Sequence, residues 1–361
     1  MHITIIAGTR PNFIKVGPII HAINRAKQDN NISYRLVHTG QHYDKKMSDS
    51  FFIDLKIPHP DVNLSCGGGT QAEQTAAIMI AFEKELTENP CDFVLVVGDV
   101  TSTMACTIVA KKMNTKVIHV ESGIRSFDMS MPEEINRLVT DSLTDVFFTT
   151  SEFANTNLRN EGVPDHKVHF VGNVMIDSLM DNIDNFTKPQ LVTENNLLEK
   201  AYFVLTLHRP SNVDNPENLR NLLTTILQNV GNNKVLFPIH PRTLKVFNTL
   251  NLHFDNLIIV EPLGYLEFNW LVKNAKGVIT DSGGITEETT VMGVPCMTLR
   301  ENTERPETCS VGTNELVGLN TTDIINALDK IVSGNWKKGA IPEKWDGKTS
   351  DRIVKILLEN Y

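Results

Sequence analysis

Short apolar runs rich in valine, isoleucine and leucine alternate with longer segments of helical period along almost the whole chain. Each apolar run stops at glycine or polar residues, and an amphipathic segment follows it. This alternation predicts an α/β fold, in which parallel sheets carry helices on both faces. The predicted strands are residues 3–7, 34–39, 93–97, 116–120, 146–149, 167–171, 202–207, 234–239, 257–260, 277–280 and 296–299.

The rhythm of strands and helices is interrupted between residues 181 and 200, where the chain is polar and shows no strand pattern. A length of 361 residues is long for one core and comfortable for two. We therefore expect two Rossmann-like domains, residues 1–171 and residues 172–350, and a last helix within residues 351–361.

Composition excludes several classes of function. Apolar residues make up 41% of the chain and charged residues 21%, which is typical of a soluble globular protein. The net charge of −9 argues against nucleic acid or an anionic membrane as the main partner. The five cysteines form no Cys-x-x-Cys pair, and no apolar run approaches the roughly 20 residues of a membrane helix. We therefore expect a cytosolic protein without a disulfide framework, a metal site or a secretion signal.

Polar residues follow the predicted strands, and this is where open parallel sheets bind their ligands. In the first half, Arg10 and Lys15 flank a helix start and suit an anion, although a tight turn with two solvated cations explains them equally well. Asp99 and Glu121 lie at the ends of two predicted strands, where they can approach the same ligand. Several carboxylates beside one ligand suit proton transfer. Glu133 and Arg137, like Arg137 and Asp141, stand four residues apart, which more often means a helical ion pair.

In the second half, His208 and His240 each end a predicted strand, where a histidine more often caps a loop than titrates. Residues 282–284, Ser-Gly-Gly, can offer backbone N–H groups to a diphosphate, whereas the plainer reading is a helix start capped by Asp281 or Ser282. The glycine-rich segment 67–72 loosely matches a dinucleotide-binding pattern. We interpret it as a loop, because residues 61–65 before it do not form a convincing strand.

Nine motifs in register resemble the UDP-N-acetylglucosamine 2-epimerase family, and the resemblance covers nearly the whole chain. They are GTRPNFIK (8–15), TGQH (39–42), VVGDVTST (96–103), HVESGIRS (119–126), PEEINR (132–137), VGNVMIDSL (171–179), LTLHRP (205–210), PIHP (238–241) and residues 281–307, from DSGGITEE to RENTERPE. The resemblance implies two Rossmann-like domains in the GT-B arrangement, facing across a cleft, with the C-terminal helix packing back on the first domain.

The resemblance also implies a non-hydrolysing 2-epimerase, which interconverts UDP-N-acetylglucosamine and UDP-N-acetylmannosamine without a redox cofactor. UDP leaves to give 2-acetamidoglucal and then adds back. The residues implied around the reacting sugar are Arg10, Lys15, Asp99, Glu121, Glu133, Arg137 and His208. The residues implied to hold the UDP are His240, Ser282, Gly283, Gly284, Glu288 and Arg305.

A candidate regulatory site and several alternative functions follow from the same resemblance. Many bacterial members bind a second UDP-N-acetylglucosamine, and the residues here that suit such a site are Gln41, His42, Gln71 and Arg209. This chain departs from the family at Pro210 and Ser211, where members often read Arg-Glu. Residues 38–44 and 51–52 resemble relatives that act on modified UDP-sugars such as diacetamido-glucuronates. A hydrolysing epimerase, a GT-B glycosyltransferase and a UDP-sugar sensor remain alternatives, and apolar helix faces suggest a homodimer.

Overall fold

A computed structural model describes residues 1–41, 52–53 and 55–361 and contains two compact units. The first unit comprises Met1–Asp181 together with Glu343–Tyr361, and the second comprises Asn182–Pro342. Within the described ranges, no helix combines the length and the apolar character needed to cross a membrane.

The first unit is built on a parallel sheet that has seven strands within the described residues, in the order β3-β2-β1-β4-β5-β6-β7. Its strands are β1 (His2–Ala7), β2 (Ser33–His38), β3 (Val62–Asn63), β4 (Phe93–Val97), β5 (Lys116–Val120), β6 (Val146–Thr149) and β7 (Val168–Phe170). Its helices up to the unit boundary are α1 (Arg10–Ala26), α2 (Gln71–Glu88), α3 (Thr101–Lys112), α4 (Pro132–Leu143), α5 (Glu152–Asn160) and α6 (Val174–Asn182).

The second unit repeats this plan with a parallel sheet of six described strands, in the order β10-β9-β8-β11-β12-β13. The strands are β8 (Tyr202–Thr206), β9 (Lys234–Pro238), β10 (Leu257–Val260), β11 (Gly277–Thr280), β12 (Cys296–Thr298) and β13 (Asn314–Leu316). The helices are α7 (Gln190–Glu194), α8 (Pro210–Val213), α9 (Pro216–Asn229), α10 (Pro241–Thr249), α11 (Tyr265–Asn274), α12 (Gly283–Met292), α13 (Pro306–Ser310) and α14 (Thr321–Val332). The predicted α/β class with two doubly wound parallel sheets is confirmed.

The central strands form because their residues are apolar without interruption. β4 is the run Phe-Val-Leu-Val-Val, and all of its residues are buried, as expected for a parallel strand with helices on both faces. In each sheet the strand order reverses at the centre, between β1 and β4 and between β8 and β11. Doubly wound sheets bind ligands at this reversal, beyond the carboxyl ends of the strands. Each unit therefore presents one such edge.

Two short edge strands escape the sequence pattern. β3 has two residues and pairs with Val37 and His38 of β2, and β13 has three residues and pairs with β12. The prediction that residues 61–65 contain no strand is therefore wrong, because two residues are too few to show alternation. The glycine-rich segment that follows leads to Thr70, whose hydroxyl accepts from the Glu73 amide and caps α2.

The last helix, α15 (Thr349–Asn360), belongs to the first unit. The buried Asp177 carboxylate of α6 accepts from the backbone amides of Thr349 and Ser350 at 3.0 and 2.6 Å. The Ser178 hydroxyl donates to the carbonyl of Ile14 in α1. The predicted boundary after residue 171 thus precedes α6, whereas the compact first unit extends to Asp181 because α6 makes these buried contacts.

Candidate active site

Asn12 joins the ends of the two central strands in the first unit. Its side-chain oxygen accepts from the amides of Gly8 and Thr9 at 3.0 and 3.1 Å, and its side-chain nitrogen donates to the carbonyl of Val97 at 3.1 Å. These bonds fix the turn after β1 against the end of β4. Arg10 is the first residue of α1 and lies half-buried directly after this turn. Nothing in the sequence pattern marks Asn12 as part of the site.

Lys15 and Glu121 form a largely buried ion pair. The Lys15 Nζ donates to Glu121 Oε2 at 2.7 Å. Glu121 has a left-handed backbone with φ of 70°, a strained conformation for a residue with a side chain. Gly98 also has a positive φ, of 71°, and a Cβ there would lie 3.2 Å from Lys15 Nζ. Glycine at this position therefore leaves the lysine room to reach the glutamate.

Arg137 holds Asp99 beside this pair. The guanidinium donates to Asp99 Oδ2 and, at 2.8 Å, to Glu134 Oε2, while the side chain of Asn136 donates to the Asp99 carbonyl at 2.8 Å. The expected i,i+4 pairing of Arg137 with Glu133 is wrong, because Glu134 is the buried partner and Glu133 lies exposed on α4. The helix turns the second glutamate of the Pro-Glu-Glu motif inward.

Glu134 is a buried anion that sequence analysis missed. Besides Arg137, its carboxylate accepts from the amides of Ser126 and Phe127, both at 2.9 Å. Burial by itself would raise the pKa of this carboxyl, but these hydrogen bonds and the Arg137 charge hold the pKa below its ordinary value. Glu134 is therefore ionised at neutral pH and anchors both Arg137 and the loop that precedes α4.

A buried histidine, His119, contacts the end of β4 next to these residues. His119 Nδ1 lies 2.6 Å from Asp141 Oδ1, and its Nε2 lies 2.9 Å from the Gly98 carbonyl oxygen. Asp141 also accepts from the Gly123 amide and pairs with Arg125 at 2.7 Å. Burial opposes the charge of Asp141, yet its two basic partners hold its pKa below the ordinary value. The expected ion pair between Arg137 and Asp141 is therefore wrong as well, because Asp141 pairs with His119 and Arg125 instead.

Asp281 is the central polar residue of the second unit. Its fully buried carboxylate lies 2.8 Å from His208 Nδ1 and accepts from the backbone amides of His208 and Arg209 at 3.1 and 2.9 Å. The Asn212 side chain donates to it at 3.0 Å. Burial would raise the pKa of this carboxyl, but the hydrogen bonds keep the pKa below its ordinary value. Asp281 therefore does not cap the next helix, contrary to the plainer sequence-based reading.

The turn at Ser282 and Gly283 starts α12. Ser282 occupies the N-cap position, but its side chain makes no capping hydrogen bond within the described structure. A Cβ added to Gly283 would approach only Glu304 Oε2, at an ordinary 3.8 Å. The fold itself therefore has room for a larger residue at position 283. An open glycine at a helix start suits a ligand whose phosphate approaches the backbone closely. Gly284 lies in the first turn of α12.

Glu288 lies buried one turn further along α12. Burial raises its pKa to about 7, the nearby Glu287 charge adds to the rise, and the side chains of Tyr265 and Asn269 counter it. Asn269 donates to Glu288 Oε1 at 3.4 Å. At neutral pH this carboxyl is near its midpoint and can both accept and donate hydrogen bonds, and a ribose hydroxyl can pair with either form.

Arg305 is held by Glu287. Its Nε donates to Glu287 Oε1, and the arginine side chain is only 11% exposed. The neighbouring Glu307 is buried, and burial together with the Glu287 charge raises its pKa to about 7 against the opposing charge of Arg305. Arg305 thus pairs with Glu287. Glu288 and Glu307 in the same region are partly neutral at pH 7, because burial raises the pKa of both.

His240 and the candidate regulatory residues have plainer surroundings. The exposed His240 caps α10, since its Nδ1 accepts from the Arg242 amide at 3.3 Å. Gln41 accepts from the amide and hydroxyl of Ser102 at 3.2 and 2.8 Å. Gln71 accepts from the neighbouring Thr101 at 3.4 Å, so both glutamines lie at the start of α3. Arg209 belongs to the second unit. His42 lies outside the described residues.

The two edges are chemically different. The first gathers ionised carboxylates around cations, and the second combines an open helix start with a histidine–aspartate pair. Across the part of the chain that the structure describes, no cluster of three or more histidine, cysteine or acidic side chains could hold a metal ion. Fold and sites together define an α/β protein with two doubly wound parallel sheets, each with polar residues at the edge where such sheets bind ligands.

Comparison with known proteins identifies the family. The family model described as UDP-N-acetylglucosamine 2-epimerase matches residues 24–358. The chain is 43% identical to the UDP-N-acetylglucosamine 2-epimerase of Methanocaldococcus jannaschii, over 99% of both chains. It is 38% identical to the UDP-2,3-diacetamido-2,3-dideoxy-D-glucuronate 2-epimerase of Pseudomonas aeruginosa, over 99% of this chain and 100% of that protein. The chain belongs to the UDP-N-acetylglucosamine 2-epimerase family.

A solved structure supports the same conclusion about the fold. The crystal structure of the Methanocaldococcus jannaschii enzyme in complex with UDP-GlcNAc and UDP matches with a TM-score of 0.88 at 42% identity, and the match covers 99% of each chain. The predicted family resemblance is therefore confirmed.

Proposed function

We propose that this protein is a non-hydrolysing epimerase that inverts C2 of UDP-N-acetylglucosamine to give UDP-N-acetylmannosamine, and catalyses the reverse reaction. The observation that carries the proposal is the full-length similarity to an enzyme with that name, whose crystal structure holds UDP-GlcNAc and UDP. The similarity to the diacetamido-glucuronate 2-epimerase is lower, at 38% identity. UDP-N-acetylglucosamine is therefore the substrate to test first.

The chemistry explains why the first unit carries so many charges. The C2 hydrogen is not next to a carbonyl, so a base cannot remove it at a useful rate until the bond from C1 to the UDP oxygen breaks. The bonding electrons leave with UDP, a base takes the C2 proton, and 2-acetamidoglucal forms. Protonation at the opposite face of C2 and return of the UDP oxygen to C1 complete the inversion. The sum is redox-neutral and consumes no water.

The first unit supplies the groups that act on the sugar in this proposal. Asp99, Glu121 and Glu133 are its proton-transfer candidates, and Arg10, Lys15 and Arg137 supply positive charge. The ion pairs give this assignment physical support. Lys15 holds the Glu121 side chain in place by an ion pair, and Arg137 fixes Asp99 within a network anchored by Glu134. A preorganised set of charges costs little reorganisation when charge develops during the reaction.

The second unit holds the UDP in this proposal. The amides of Ser282, Gly283 and Gly284 donate hydrogen bonds to the diphosphate at the start of α12, and Arg305 supplies the positive charge. Glu288 bonds to the ribose hydroxyls. His240 completes the set, whereas His208 belongs with the residues around the reacting sugar and is available for proton transfer. The open surroundings of Gly283 and the buried, half-neutral Glu288 support these roles.

Incubation with UDP-N-acetylglucosamine in deuterated buffer, followed by NMR, tests the function. We expect both UDP-sugars to appear with deuterium at C2, because the intermediate is reprotonated from solvent. Free N-acetylmannosamine as the main product would instead identify a hydrolysing enzyme. UDP binding in calorimetry without any C2 exchange would identify a sensor.

Variants separate the epimerase from a glycosyltransferase. Asp99→Asn, Glu121→Gln and Glu133→Gln should each abolish most C2 exchange while UDP binding persists. Full activity in all three would contradict the proposal, because a glycosyltransferase does not need carboxylates around C2. Running the exchange with UDP-2,3-diacetamido-2,3-dideoxy-glucuronate in parallel tests the alternative substrate. Faster exchange with that sugar would reassign the specificity within the same reaction type.

We also propose a cytosolic homodimer, as the composition and the apolar helix faces suggest. Exposed apolar side chains on α2, such as Ile80, support an interface between copies. Light scattering of the purified protein tests this, and a monomer at micromolar concentration would contradict it.

A further inference from the structure

The contacts around Asp281 determine which ring nitrogen of His208 carries a hydrogen. Asp281 is fully buried, and each of its described partners is a donor: the His208 ring, two backbone amides and the Asn212 side chain. A carboxylate in such surroundings is ionised and can only accept hydrogen bonds. The nitrogen of His208 that faces it at 2.8 Å must therefore carry the hydrogen.

This arrangement selects one tautomer of His208. With Nδ1 bound to hydrogen and engaged by Asp281, the neutral ring keeps its lone pair on Nε2. A proton that the ring accepts therefore goes to Nε2. The His208 side chain is 56% exposed, although Asp281 is sealed from solvent. The ring thus has one edge that is fixed and one that is open to a ligand.

Strand order brings this pair to the edge proposed for UDP. β8 and β11 are neighbours, with Thr206 opposite Thr280, so the chain after each strand emerges at the same edge. Asp281 follows β11, its side chain binds the loop after β8, and its own main chain continues into Ser282. The same residue therefore ties the His208 loop to the start of α12.

We propose that Asp281 is a positioning residue that holds His208 with Nε2 as the nitrogen that exchanges a proton with the substrate. This inference rests on the proposed epimerase function and adds a residue to its machinery. Asp281 itself touches no reacting atom. It acts by fixing the orientation and the tautomer of the ring, the division of labour known from histidine–aspartate pairs in hydrolases.

A double-mutant cycle tests the coupling. In Asp281→Asn, the amide replaces an acceptor with a group that can donate, so we expect the rate of C2 exchange to fall roughly 100-fold or more, with UDP affinity nearly unchanged. His208→Gln should fall by a similar factor, and the double variant should be no worse than His208→Gln alone. Losses that multiply would overturn the inference, because the two residues would then act independently.

A control and a spectroscopic measurement guard against a merely structural effect. Asn212→Ala removes another hydrogen bond from Asp281 without touching His208, so we expect a much smaller loss of exchange rate. An equal loss would assign Asp281 to loop structure alone. Imidazole ¹⁵N NMR of the parent protein, assigned with His208→Gln, should show hydrogen on Nδ1 in the neutral ring. Hydrogen on Nε2 would overturn the inference even if Asp281→Asn fails to fold.

The outcomes also separate this inference from the proposed function. If the parent protein exchanges no C2 hydrogen with any UDP-sugar, the epimerase proposal fails, while the NMR measurement still decides the tautomer. If the parent protein exchanges C2 but the cycle is additive, the epimerase stands and the role of Asp281 falls.

Discussion

The two units share one topology, but buried acidic residues near their candidate sites differ in charge state. In the first, the buried carboxylates of Glu134 and Asp141 have cationic partners, and their pKa values lie below the ordinary range. In the second, burial raises the pKa values of Glu288 and Glu307 to about 7. The same side chain is a fixed charge in one unit and a half-neutral hydrogen-bonding group in the other. Neighbouring cations and amides, more than burial itself, decide between these states.

The largest effect should come from Glu134→Gln, which removes a fixed charge from the first unit. Arg137 loses its buried partner, and breaking a buried pair costs about 3–5 kcal/mol of the free energy of unfolding. We also expect C2 exchange to fall about 100-fold or more, because Asp99 loses its support. Glu85→Gln breaks the Arg35–Glu85 pair on β2 and α2, so it should cost stability but little activity. Equal activity in the two variants would contradict the role of Glu134.

Glu307→Gln tests whether a buried carboxyl of the second unit has a raised pKa. A carboxyl whose folded pKa is raised to about 7 stabilises the protein fully below its unfolded pKa near 4.5, and this stability is lost as the pH rises through about 7. The full shift corresponds to about 3 kcal/mol. The glutamine variant should therefore be more stable than the parent at pH 8, as measured by urea unfolding. The exposed Glu199→Gln should show no such gain, and a destabilised Glu307→Gln at pH 8 would contradict the assignment.

Glu288→Gln tests the raised pKa of the second buried carboxyl through its effect on UDP binding. The ionised carboxylate accepts stronger hydrogen bonds from ribose than the neutral acid does, so UDP affinity of the parent should rise between pH 6 and pH 8. We expect the ratio of parent to variant affinity to rise by up to about tenfold over that range, since Glu288 has a pKa of about 7. Because UDP titrates equally in both measurements, the ratio removes its contribution. A ratio independent of pH would exclude Glu288 from the ribose site.

The smallest effect should come from Gly98→Ala. The new methyl would meet Lys15 Nζ at 3.2 Å, on a backbone whose positive φ already costs about 1–2 kcal/mol for alanine. Gly162→Ala has the same backbone strain, with φ of 83° and no atom near the new methyl. Both variants should lose similar stability, and only Gly98→Ala should lose activity. An active Gly98→Ala would show that the Lys15–Glu121 pair tolerates displacement.

Sequence alone predicted most of the fold because the central strands are uninterrupted apolar runs. β4, β5, β6, β10 and β11 have the predicted bounds. The edge strands β3 and β13 were missed, since two or three residues carry no periodicity. The helix α6 follows the predicted boundary but packs on the first unit through Asp177, a contact over more than 170 residues of chain that a local pattern does not show.

The site was less predictable, because its supporting residues look ordinary in sequence. Asn12 reads as a helix residue and His119 as part of a strand, and their roles depend on the order of strands in the sheet. Glu133 and Glu134 look alike in sequence. They differ in which one faces the protein interior, and that depends on the buried partners of Glu134. Asp281 stands where a cap is expected, and only the pairing of β8 with β11 brings it to His208.

The anchoring of α15 has a consequence for the order in which the chain folds. The second unit is an insertion in the first, since residues 343–361 return to it after 182–342 are complete. Ile353, Val354 and Leu357 of α15 are buried there, and Asp177 receives its amide donors from the start of that helix. During synthesis the second unit can fold while the first still lacks its last helix. The first unit finishes folding only when residues 343–361 have left the ribosome, so a segment made after the second unit is the one that closes the first core.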